Sequence, residues 1–385
     1  MLHSILKACE AVAVIATFCG FGYTLLALWG AVSFLWQREI VPAMTFPPVS
    51  ILKPLKGTDP EMLENFRSHC RQDYSDYEIV FGVSDGNDPA IAAVEQLKAE
   101  FPSRTIKLVV SQRSLGANTK VSNLAQMVPI AGGKYLVVND SDIRAEPNYL
   151  RRVMSPLASP KIALVTCLYR GIPAASLGSW LEAAGILDFA SGVLAARQVD
   201  GGIQFGLGST LAFRRQDLQS LGGFEAFADY LADDYQLGNR LTSEGAGGEL
   251  SHCVVETVLP AYSIGEYLSH QLRWARTIRD SRRWGYAGLG FTYYLPWALL
   301  ALLCAGGASW AWFLLAAAVV IRMASTLAAG YGVLNDRRTL KYLPLVPLRD
   351  LLAVALWLSG FFGHTVQWRG ERFSLKDGKL DRIYP

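Results

Sequence analysis

The stretch Lys134–Asp142, K-Y-L-V-V-N-D-S-D, decides which fold the sequence predicts. Its apolar run, Leu136–Val138, stops abruptly at N-D-S-D, a pattern typical of a buried parallel strand. In open α/β sheets, ligands bind at the carboxyl ends of the strands, so Asp140 and Asp142 are expected at the edge of a crevice. Two carboxylates one residue apart suit Mg²⁺ or Mn²⁺ bridged to nucleotide phosphates. A lone D-x-D is also typical of an acidic turn, so the choice between a metal site and a turn depends on the other residues of the chain.

The sequence around this stretch alternates between strand-like and helix-like patterns. Strands are predicted at 49–53, 77–83, 105–110, 134–139 and 162–168. The helices predicted between them cover 60–72, 88–100, 119–128 and 147–155. This alternation predicts an α/β fold with a mainly parallel sheet covered by helices on both faces.

The regular alternation ends near residue 170. A helix is predicted at 176–198, and its apolar stripe suits either a protein core or a membrane surface. A strand at 209–213 and helices at 233–244 and 264–280 are predicted after it.

Both ends of the chain contain apolar segments long enough for a bilayer. The stretch 11–36 predicts an N-terminal transmembrane anchor, because it is longer than the apolar core of a cleaved signal peptide. Residues 291–306 and 310–330 predict a helical hairpin in the membrane, with Arg322 as its charged residue. The segment 343–363 contains prolines and charges, so a span, a re-entrant segment and an interfacial helix all remain open.

Composition disfavours several classes of function. Of the 385 residues, 51% are hydrophobic and 18% are charged, so the chain is more apolar than a typical soluble domain. The net charge of +3 is too small to indicate a nucleic-acid partner. Charges inside the apolar segments are sparse, which argues against a channel or transporter. The six cysteines include no C-x-x-C pair, so no disulfide framework is expected.

Further candidate site residues, charged or aromatic, lie at other predicted strand ends and on predicted helices. They are Lys53 in I-L-K-P-L-K-G, Asp85 in G-V-S-D-G-N-D-P, Asp233 and Asp234 in L-A-D-D-Y, and Arg273 and Trp274 in H-Q-L-R-W. Each has an ordinary structural explanation when taken alone. Together they supply what sugar transfer from a nucleotide diphosphate requires: ligands for a divalent cation, a carboxylate base and a positive charge near the leaving phosphates.

In this order, the segments resemble those of membrane-bound glycosyltransferases of the ceramide glucosyltransferase family, which have the GT-A fold. The resemblance is carried by V-S-I-L-K-P-L-K-G, L-G-A-N-T-K-V-S-N-L, D-S-D-I-R, F-A-D-Y-L-A-D-D-Y, R-W and W-R-G-E-R-F. Three other stretches, V-T-C-L-Y-R-G, H-Q-L-R-W-A-R-T-I-R and W-G-Y-A-G, are similar to bacterial enzymes of hopanoid biosynthesis.

The resemblance implies a role for each matching residue. Asp234 would be the general base, and Asp140 and Asp142 would hold a divalent cation, Mg²⁺ or Mn²⁺. The nucleotide sugar would be bound by Lys53, Asp85, Asp140, Arg273 and Trp274. Two roles stay open: that of Asp233, the first residue of the acidic pair, and that of His270, which stands where the family's (Q/R)-x-x-R-W pattern begins.

The resemblance also implies a reaction. An inverting hexosyltransferase would move a sugar from a UDP-sugar donor to a hydroxyl of a membrane lipid. The hopanoid subgroup implies transfer of N-acetylglucosamine to bacteriohopanetetrol, and the alternative is a ceramide glucosyltransferase using UDP-glucose. A processive polysaccharide synthase is a remote alternative, because such enzymes need more membrane spans.

The expected organisation has four parts: an anchor at 1–36, a GT-A domain at 45–290, membrane helices at 291–366 and a basic tail at 367–385. The resemblance implies a multi-pass protein of the bacterial inner membrane whose catalytic domain faces the cytoplasm. The positive-inside rule gives conflicting indications, because loop 335–341 and the tail are both basic while one span between them would put them on opposite sides.

Overall fold

The computed structural model describes residues 1–37, 47–243 and 245–383, which divide into two compact units. Over those residues, the sheet unit comprises Gln37–Ala174, Val199–Pro260 and Gly378–Pro385. The helical unit likewise comprises Met1–Trp36, Ala175–Gln198 and Ala261–Asp377. The expected domain at 45–290 is therefore shared between the units, because its helices at 177–199 and 264–281 pack with the apolar ones. The first two residues of that domain and the last two of the tail lie outside the described residues.

The described elements alternate as expected over the first half of the chain. In chain order, the helices are α1 (Leu2–Trp36), α2 (Met62–Cys70), α3 (Ala90–Glu100), α4 (Thr119–Met127), α5 (Tyr149–Met154), α6 (Leu177–Val199), α7 (Arg215–Ser220), α8 (Asp233–Thr242), α9 (Ile264–Ser281), α10 (Arg283–Leu289), α11 (Tyr294–Cys304), α12 (Ser309–Leu327), α13 (Thr339–Tyr342) and α14 (Val346–Gly360). The strands are β1 (Val49–Pro54), β2 (Tyr77–Val83), β3 (Thr105–Val110), β4 (Tyr135–Val138), β5 (Ile143–Arg144), β6 (Ile162–Ile172), β7 (Leu211–Arg214), β8 (Gly247–Val258), β9 (Thr365–Trp368), β10 (Glu371–Lys376) and β11 (Lys379–Arg382).

Eight of the described strands form one sheet in the order β3-β2-β1-β4-β7-β6-β8-β5. β1 is parallel to both β2 and β4, with Val49 opposite Tyr77 on one side and Tyr135 on the other. β7 is antiparallel to β4 and β6, and β6 is parallel to β8. The mainly parallel sheet confirms the predicted α/β class.

Both faces of the central strands are buried, because side chains alternate between two hydrophobic clusters. Ile51 of β1 and Ile79 of β2 lie in one cluster, whereas Leu52 and Val80 lie in the other. Since β1, β2 and β4 are parallel neighbours, the loops after them share one edge of the sheet. This edge carries the D-S-D segment.

Sequence reasoning misses β8 and the hairpin of β9 and β10. In β8, polar residues such as His252 and Glu256 interrupt the apolar ones, although the burial of Ser251, Cys253 and Val255 follows the period of two of a strand. The hairpin lies where a basic tail was expected, and its strands are antiparallel. All six cysteines are free in the structure.

The helical unit contains several helices that a membrane could accommodate. Among the described residues, four are long and apolar enough to cross one: His3–Trp36, Leu177–Val199, Ser309–Val333 and Thr339–Gly360. A fifth candidate is the pair Arg283–Thr292 and Tyr294–Cys304, which is bent by 57°. The prediction of apolar helices at both ends is confirmed. The helix predicted at 176–198 joins the candidates, although 61% of its most apolar window is buried within the protein.

Four charged side chains neutralise one another inside this unit. Arg322 on α12 donates to both oxygens of Asp350 on α14, at 2.7 and 2.8 Å, and to Asp188 on α6 at 2.9 Å. Arg349 pairs with Asp188 as well. Because an isolated charge among apolar helices is costly, this network explains how the chain accommodates Arg322.

Removing one member of this network should destabilise the helical unit. Asp350→Leu deprives Arg322 of its bidentate partner, and breaking a buried pair in this way costs about 3–5 kcal/mol. We expect a lower melting temperature in detergent for Asp350→Leu and partial recovery in Arg322→Met/Asp350→Leu, which removes both charges. A melting temperature equal to that of the wild type in Asp350→Leu would show that the network does not stabilise the fold.

Candidate active site

The D-S-D segment is held in place by buried polar contacts. The fully buried Asn139 donates from its side-chain amide to the hydroxyl of Tyr149 at 2.9 Å. Asp142 Oδ2 accepts a hydrogen bond from Thr257 Oγ1 at 2.6 Å. The two contacts fix the segment from α5 and from β8, so two separate elements besides β4 set the positions of Asp140 and Asp142.

Lys53 lies beneath the same segment. Its side chain is fully buried, and its Nζ donates to the main-chain oxygen of Asp140 at 3.0 Å. Burial lowers the pKa of Lys53 to about 7, although the carboxylates of Asp142 and Asp140 oppose the shift. Sequence reasoning expects Lys53 to contact the nucleotide. In the structure the buried side chain supports the D-S-D segment from within, and a contact of Lys53 with the nucleotide stays a prediction.

The carboxylates of Asp234 and Asp140 both lie next to Gly208. A Cβ atom at Gly208 would be 2.9 Å from Asp140 Oδ2 and 3.3 Å from Asp234 Oδ2, so these oxygens are no farther apart than the sum of those distances. Asp234 belongs to the first turn of α8, and its Oδ1 accepts a hydrogen bond from the main-chain nitrogen of Tyr235 at 2.8 Å. Two carboxylates from distant parts of the sequence therefore border one small gap.

Lys120, in the first turn of α4, links the two acidic groups. Its Nζ lies 2.8 Å from Asp140 Oδ1 and 3.4 Å from Asp233 Oδ2. Although burial opposes the shift, the charges of these carboxylates raise the pKa of Lys120 above its usual range. Asp233 is thus engaged with a cation, whereas Asp234 is the member of the pair that borders the gap at Gly208.

Sequence reasoning gives Lys120 no role, although its segment carries part of the resemblance. The helix dipole disfavours a lysine in a first helical turn, so a lysine at this place indicates a nearby carboxylate. Asn118 provides a second signal, because it caps α4 by accepting a hydrogen bond from the nitrogen of Val121 at 3.1 Å. A lysine in the first turn of a capped helix was therefore a signal from which Lys120 could have been predicted as a site residue.

Asp85 is exposed and follows β2. Its Oδ1 accepts a hydrogen bond from the nitrogen of Asn87 at 2.9 Å, which closes a tight turn. Asp88 accepts a hydrogen bond from the nitrogen of Gly57 at 3.0 Å and so ties the loop after β2 to the loop after β1. Asp85 therefore lies at the sheet edge that carries the D-S-D segment, and its contact with the nucleotide stays a prediction.

His270, Arg273 and Trp274 lie on α9 in the helical unit, so their meeting with the carboxylates stays a prediction. Trp274 Nε1 donates to His270 Nε2 at 3.3 Å, and Tyr262 stacks on the imidazole with ring centroids 5.5 Å apart. Glu182 lies 3.2 Å from His270 Nδ1, outside hydrogen-bond geometry. Because Nε2 accepts, this arrangement assigns the ring proton to Nδ1. His270 is thus held in place by Trp274 and Tyr262, and its role in the site stays open.

Negative charge is crowded where the D-S-D segment meets the start of α8. Burial and then the charge of Asp140 raise the pKa of Asp142 to about 6. Burial and then the charge of Asp233 raise the pKa of Asp234 to about 6. A carboxylate shifted in this direction is better matched to accepting a proton near neutral pH than an ordinary aspartate.

The oxygens of Asp140 and Asp142 suit a hard divalent cation, and the crowding of their charges would be relieved by one. In the ranges that the structure describes, no three His, Cys, Asp or Glu side chains are arranged to hold an ion by themselves. Mg²⁺ commonly binds through one or two carboxylates, waters and substrate phosphates. The residues present therefore fit a cation that is completed by a bound diphosphate.

The sequence matches the family described as Glycosyl transferase family 21 over residues 12–381. The chain belongs to glycosyl transferase family 21. Ceramide glucosyltransferase 1 of Caenorhabditis elegans is 28% identical over 250 residues, covering 60% of this chain and 53% of the relative. An N-acetylglucosaminyltransferase of Rhizobium leguminosarum bv. viciae is 23% identical over 247 residues, covering 61% of this chain and 57% of that protein. The family 21 chain thus spans about half the length of the curated relatives it matches.

A solved structure supports the fold of this family 21 member. The mannosyltransferase PcManGT from Pyrobaculum calidifontis, in complex with GDP-Man and Mn²⁺, has a TM-score of 0.56 at 20% identity. The match covers 92% of this chain and 99% of that one. At this identity the likeness concerns the fold, and it confirms the expected GT-A type. Membership of the family confirms the predicted resemblance.

The gap at Gly208 can be tested by filling it. In Gly208→Ala, the added Cβ would press on Asp140 and Asp234, and displacements of about 1 Å in such sites cost about 10²-fold in rate. We expect a loss of this size in turnover with an unchanged melting temperature. Gly265→Ala is the matched control, because a Cβ there has no heavy atom within 4 Å. Equal turnover in the two variants would show that the gap is not part of the reaction site.

Proposed function

We propose that this chain transfers a sugar from a UDP-sugar to a hydroxyl group of a membrane lipid, with inversion at the anomeric carbon. The observation that carries the proposal is the position of Asp234 beside Asp140 across Gly208. One carboxylate comes from the strand end at which α/β folds bind ligands, and the other comes from the first turn of a helix. An acceptor hydroxyl in that gap would have a base on one side and the D-S-D segment on the other.

Each group in the site has a distinct task in this proposal. Asp234 takes the proton from the attacking hydroxyl. Asp140 and Asp142 hold a divalent cation, Mg²⁺ or Mn²⁺, which supplies charge neutralisation for the departing diphosphate when it is bound. Lys53 holds the D-S-D segment in position, and Asp85 binds the nucleotide part of the donor.

The roles of the α9 residues are carried over from the resemblance. Arg273 and Trp274 bind the nucleotide sugar. The role of His270, whose Nε2 accepts a hydrogen bond from Trp274, is left open.

A lipid acceptor is supported by the helical unit and by the relatives. Several described helices suit a bilayer, and five relatives, among them the first C. elegans protein, are named ceramide glucosyltransferases. We propose a multi-pass protein of the bacterial inner membrane, with an anchor at 1–36, membrane helices at 291–366 and the catalytic residues on the cytoplasmic side. Protease digestion of inverted and right-side-out vesicles tests the orientation, and cleavage within the sheet unit only in right-side-out vesicles would contradict it.

For the substrates, we propose N-acetylglucosamine as the sugar and bacteriohopanetetrol as the acceptor. The stretches similar to hopanoid enzymes and the N-acetylglucosaminyltransferase among the relatives support this choice. Glucose transfer to ceramide is the second candidate, because the relatives with higher identity carry that name. Purified protein offered UDP-N-acetylglucosamine or UDP-glucose with either lipid, with products weighed by mass spectrometry, separates the two. Absence of a glycolipid in all four combinations, with and without added Mn²⁺, would contradict the proposal.

The base can be tested by removing its charge. In Asp234→Asn, the side chain keeps its size but cannot accept the proton, so we expect transfer to fall by about 10²- to 10⁴-fold. The affinity for UDP, measured by calorimetry, should stay close to that of the wild type. Asp217→Asn is a control in the same unit, because its carboxylate lies 3.3 Å from Arg214 rather than at Gly208. Transfer at the wild-type rate in Asp234→Asn would remove that residue from the role of base.

The raised pKa of the base predicts a pH dependence. Asp234 must be ionised to accept a proton, and its pKa lies at about 6 rather than at the ordinary value of an aspartate. We therefore expect kcat/KM to rise as pH increases through about 6 and to level off above it, because that ratio reports the free enzyme. Initial rates measured between pH 4.5 and 8.5 give the acid limb of the pH profile, in which kcat/KM rises with pH. A flat profile down to pH 4.5 would be inconsistent with proton removal by this carboxylate.

A further inference from the structure

The last described strand of the chain belongs to the sheet unit and pairs with the segment that leads into α8. The nitrogen of Leu380 in β11 donates to the oxygen of Asp229 at 2.7 Å, and the nitrogen of Leu231 donates to the oxygen of Gly378 at 3.0 Å. Tyr230 and Lys379 form an antiparallel bridge between these two bonds. The side chain of Leu380 is buried, with 2% of its surface exposed. This part of the expected basic tail is thus built into the catalytic unit.

Side chains reinforce the pairing. The ammonium group of Lys379 lies 5.5 Å from the centroid of the Tyr230 ring, and the guanidinium of Arg240 lies 5.4 Å from the same centroid. Arg240 also lies 4.7 Å from the ring of Phe227. Cations over aromatic faces are attracted by the ring quadrupole. Tyr230 is therefore held by a cation from β11 and by one from α8.

The other side of the same segment is held by the start of α4. The nitrogen of Asn118 donates to the oxygen of Ala228 at 2.8 Å, and its side-chain amide donates to the oxygen of Tyr230 at 2.7 Å. The nitrogen of Ala117 donates to Asp229 Oδ1 at 3.0 Å. Residues 228–231 are consequently held by hydrogen bonds from the start of α4 on one side and from β11 on the other.

The position of residues 228–231 affects the acidic pair, because α8 begins immediately after them. Ala232 stands at the N-cap position of α8 and provides no side-chain hydrogen bond to the helix start. Polar N-caps usually fix that turn, so here the first turn depends on the segment before it. Asp233 follows Leu231 by two residues, a reach of about 7 Å at most. The position of the acidic pair is thereby tied to the pairing of Leu231 with Gly378.

We propose that β11 is a positioning element of the reaction, which holds residues 228–231 so that Asp234 faces Asp140 across Gly208. This inference rests on the proposed function, in which Asp234 is the base. The C-terminal residues 378–380 act on the reaction through the backbone of Asp229 and Leu231. They need no contact with the substrate to do so.

The test compares two substitutions at Leu380. Leu380→Pro and Leu380→Ala both remove the buried side chain, but only proline also removes the nitrogen-bound hydrogen that is donated to Asp229. We expect kcat of the proline variant to be about 10²-fold below that of the alanine variant, the size of effect that misplacement by about 1 Å produces. Affinity for UDP in calorimetry should be equal in the two variants. Hydrogen exchange of the amide of Leu231 should be faster in the proline variant.

A second pair of variants covers the case in which Leu380→Pro does not fold. Gly378 and Gly370 both have positive φ, +77° and +85°, so alanine strains the backbone at either position. Strain at Gly378 acts on the residue whose oxygen accepts the hydrogen bond from Leu231, whereas Gly370 lies in the turn between β9 and β10. We expect kcat to fall in Gly378→Ala and to stay near the wild-type value in Gly370→Ala. The acid limb of the pH profile should move to lower pH in Gly378→Ala, because a displaced Asp234 becomes more solvated.

The outcomes separate this inference from the proposed function. If the wild-type chain transfers sugar and the variants of each pair share the same kcat and pH profile, β11 has no positioning role and the proposed function stands. If the wild-type chain transfers no sugar to any of the acceptors tested, the proposed function fails first. In that case, equal hydrogen exchange of the amide of Leu231 in the proline and alanine variants would overturn the positioning role as well.

Discussion

The balance of charge at one edge of the sheet is the constraint on which the site depends. Among the described residues, five carboxylates act on one another there, those of Asp59, Asp140, Asp142, Asp233 and Asp234. Like charges at such distances raise one another's pKa values unless cations compensate them. Lys120 compensates Asp140 and Asp233 directly, and the buried Lys53 interacts with the charges of Asp142 and Asp140. Asp142 and Asp234 nevertheless keep raised pKa values. These are the two positions at which a metal ligand and a base are proposed.

Local sequence patterns predicted most of the strands and helices of the first half of the chain, and they predicted the acidic residues of the site. The strand that ends at Val138, just before Asp140, and the helix that starts at Asp233 are recognisable because a burial pattern and a change in polarity mark each of them. Their meeting across Gly208 depends on the order of the sheet strands, in which β4 pairs with β7, and local patterns contain no information about that order. Lys120 was missed for the same reason, since its partners are distant in sequence. A lysine in a first helical turn was nevertheless a usable signal.

The helical unit shows the same division between local and distant information. Hydropathy marks its long helices, because membrane length and apolar composition are local properties. It cannot show that Arg322 finds Asp350 and Asp188, which belong to two other helices. The C-terminal residues were described from the sequence only by their basic charge. The backbone of β11 instead pairs with Asp229 and Leu231, so charge content alone was a poor guide to location.

The most direct measurement is a cryo-electron microscopy structure of the chain with UDP and Mn²⁺ bound. The central claim is that Asp140, Asp142 and Asp234 form one reaction centre around a divalent cation. We predict Mn²⁺ in direct contact with Asp140 and Asp142 and with the diphosphate, and a carboxylate of Asp234 that borders the space beyond the β-phosphate. A diphosphate bound away from the D-S-D segment, or an Asp234 on the far side of it from the nucleotide, would contradict the claim.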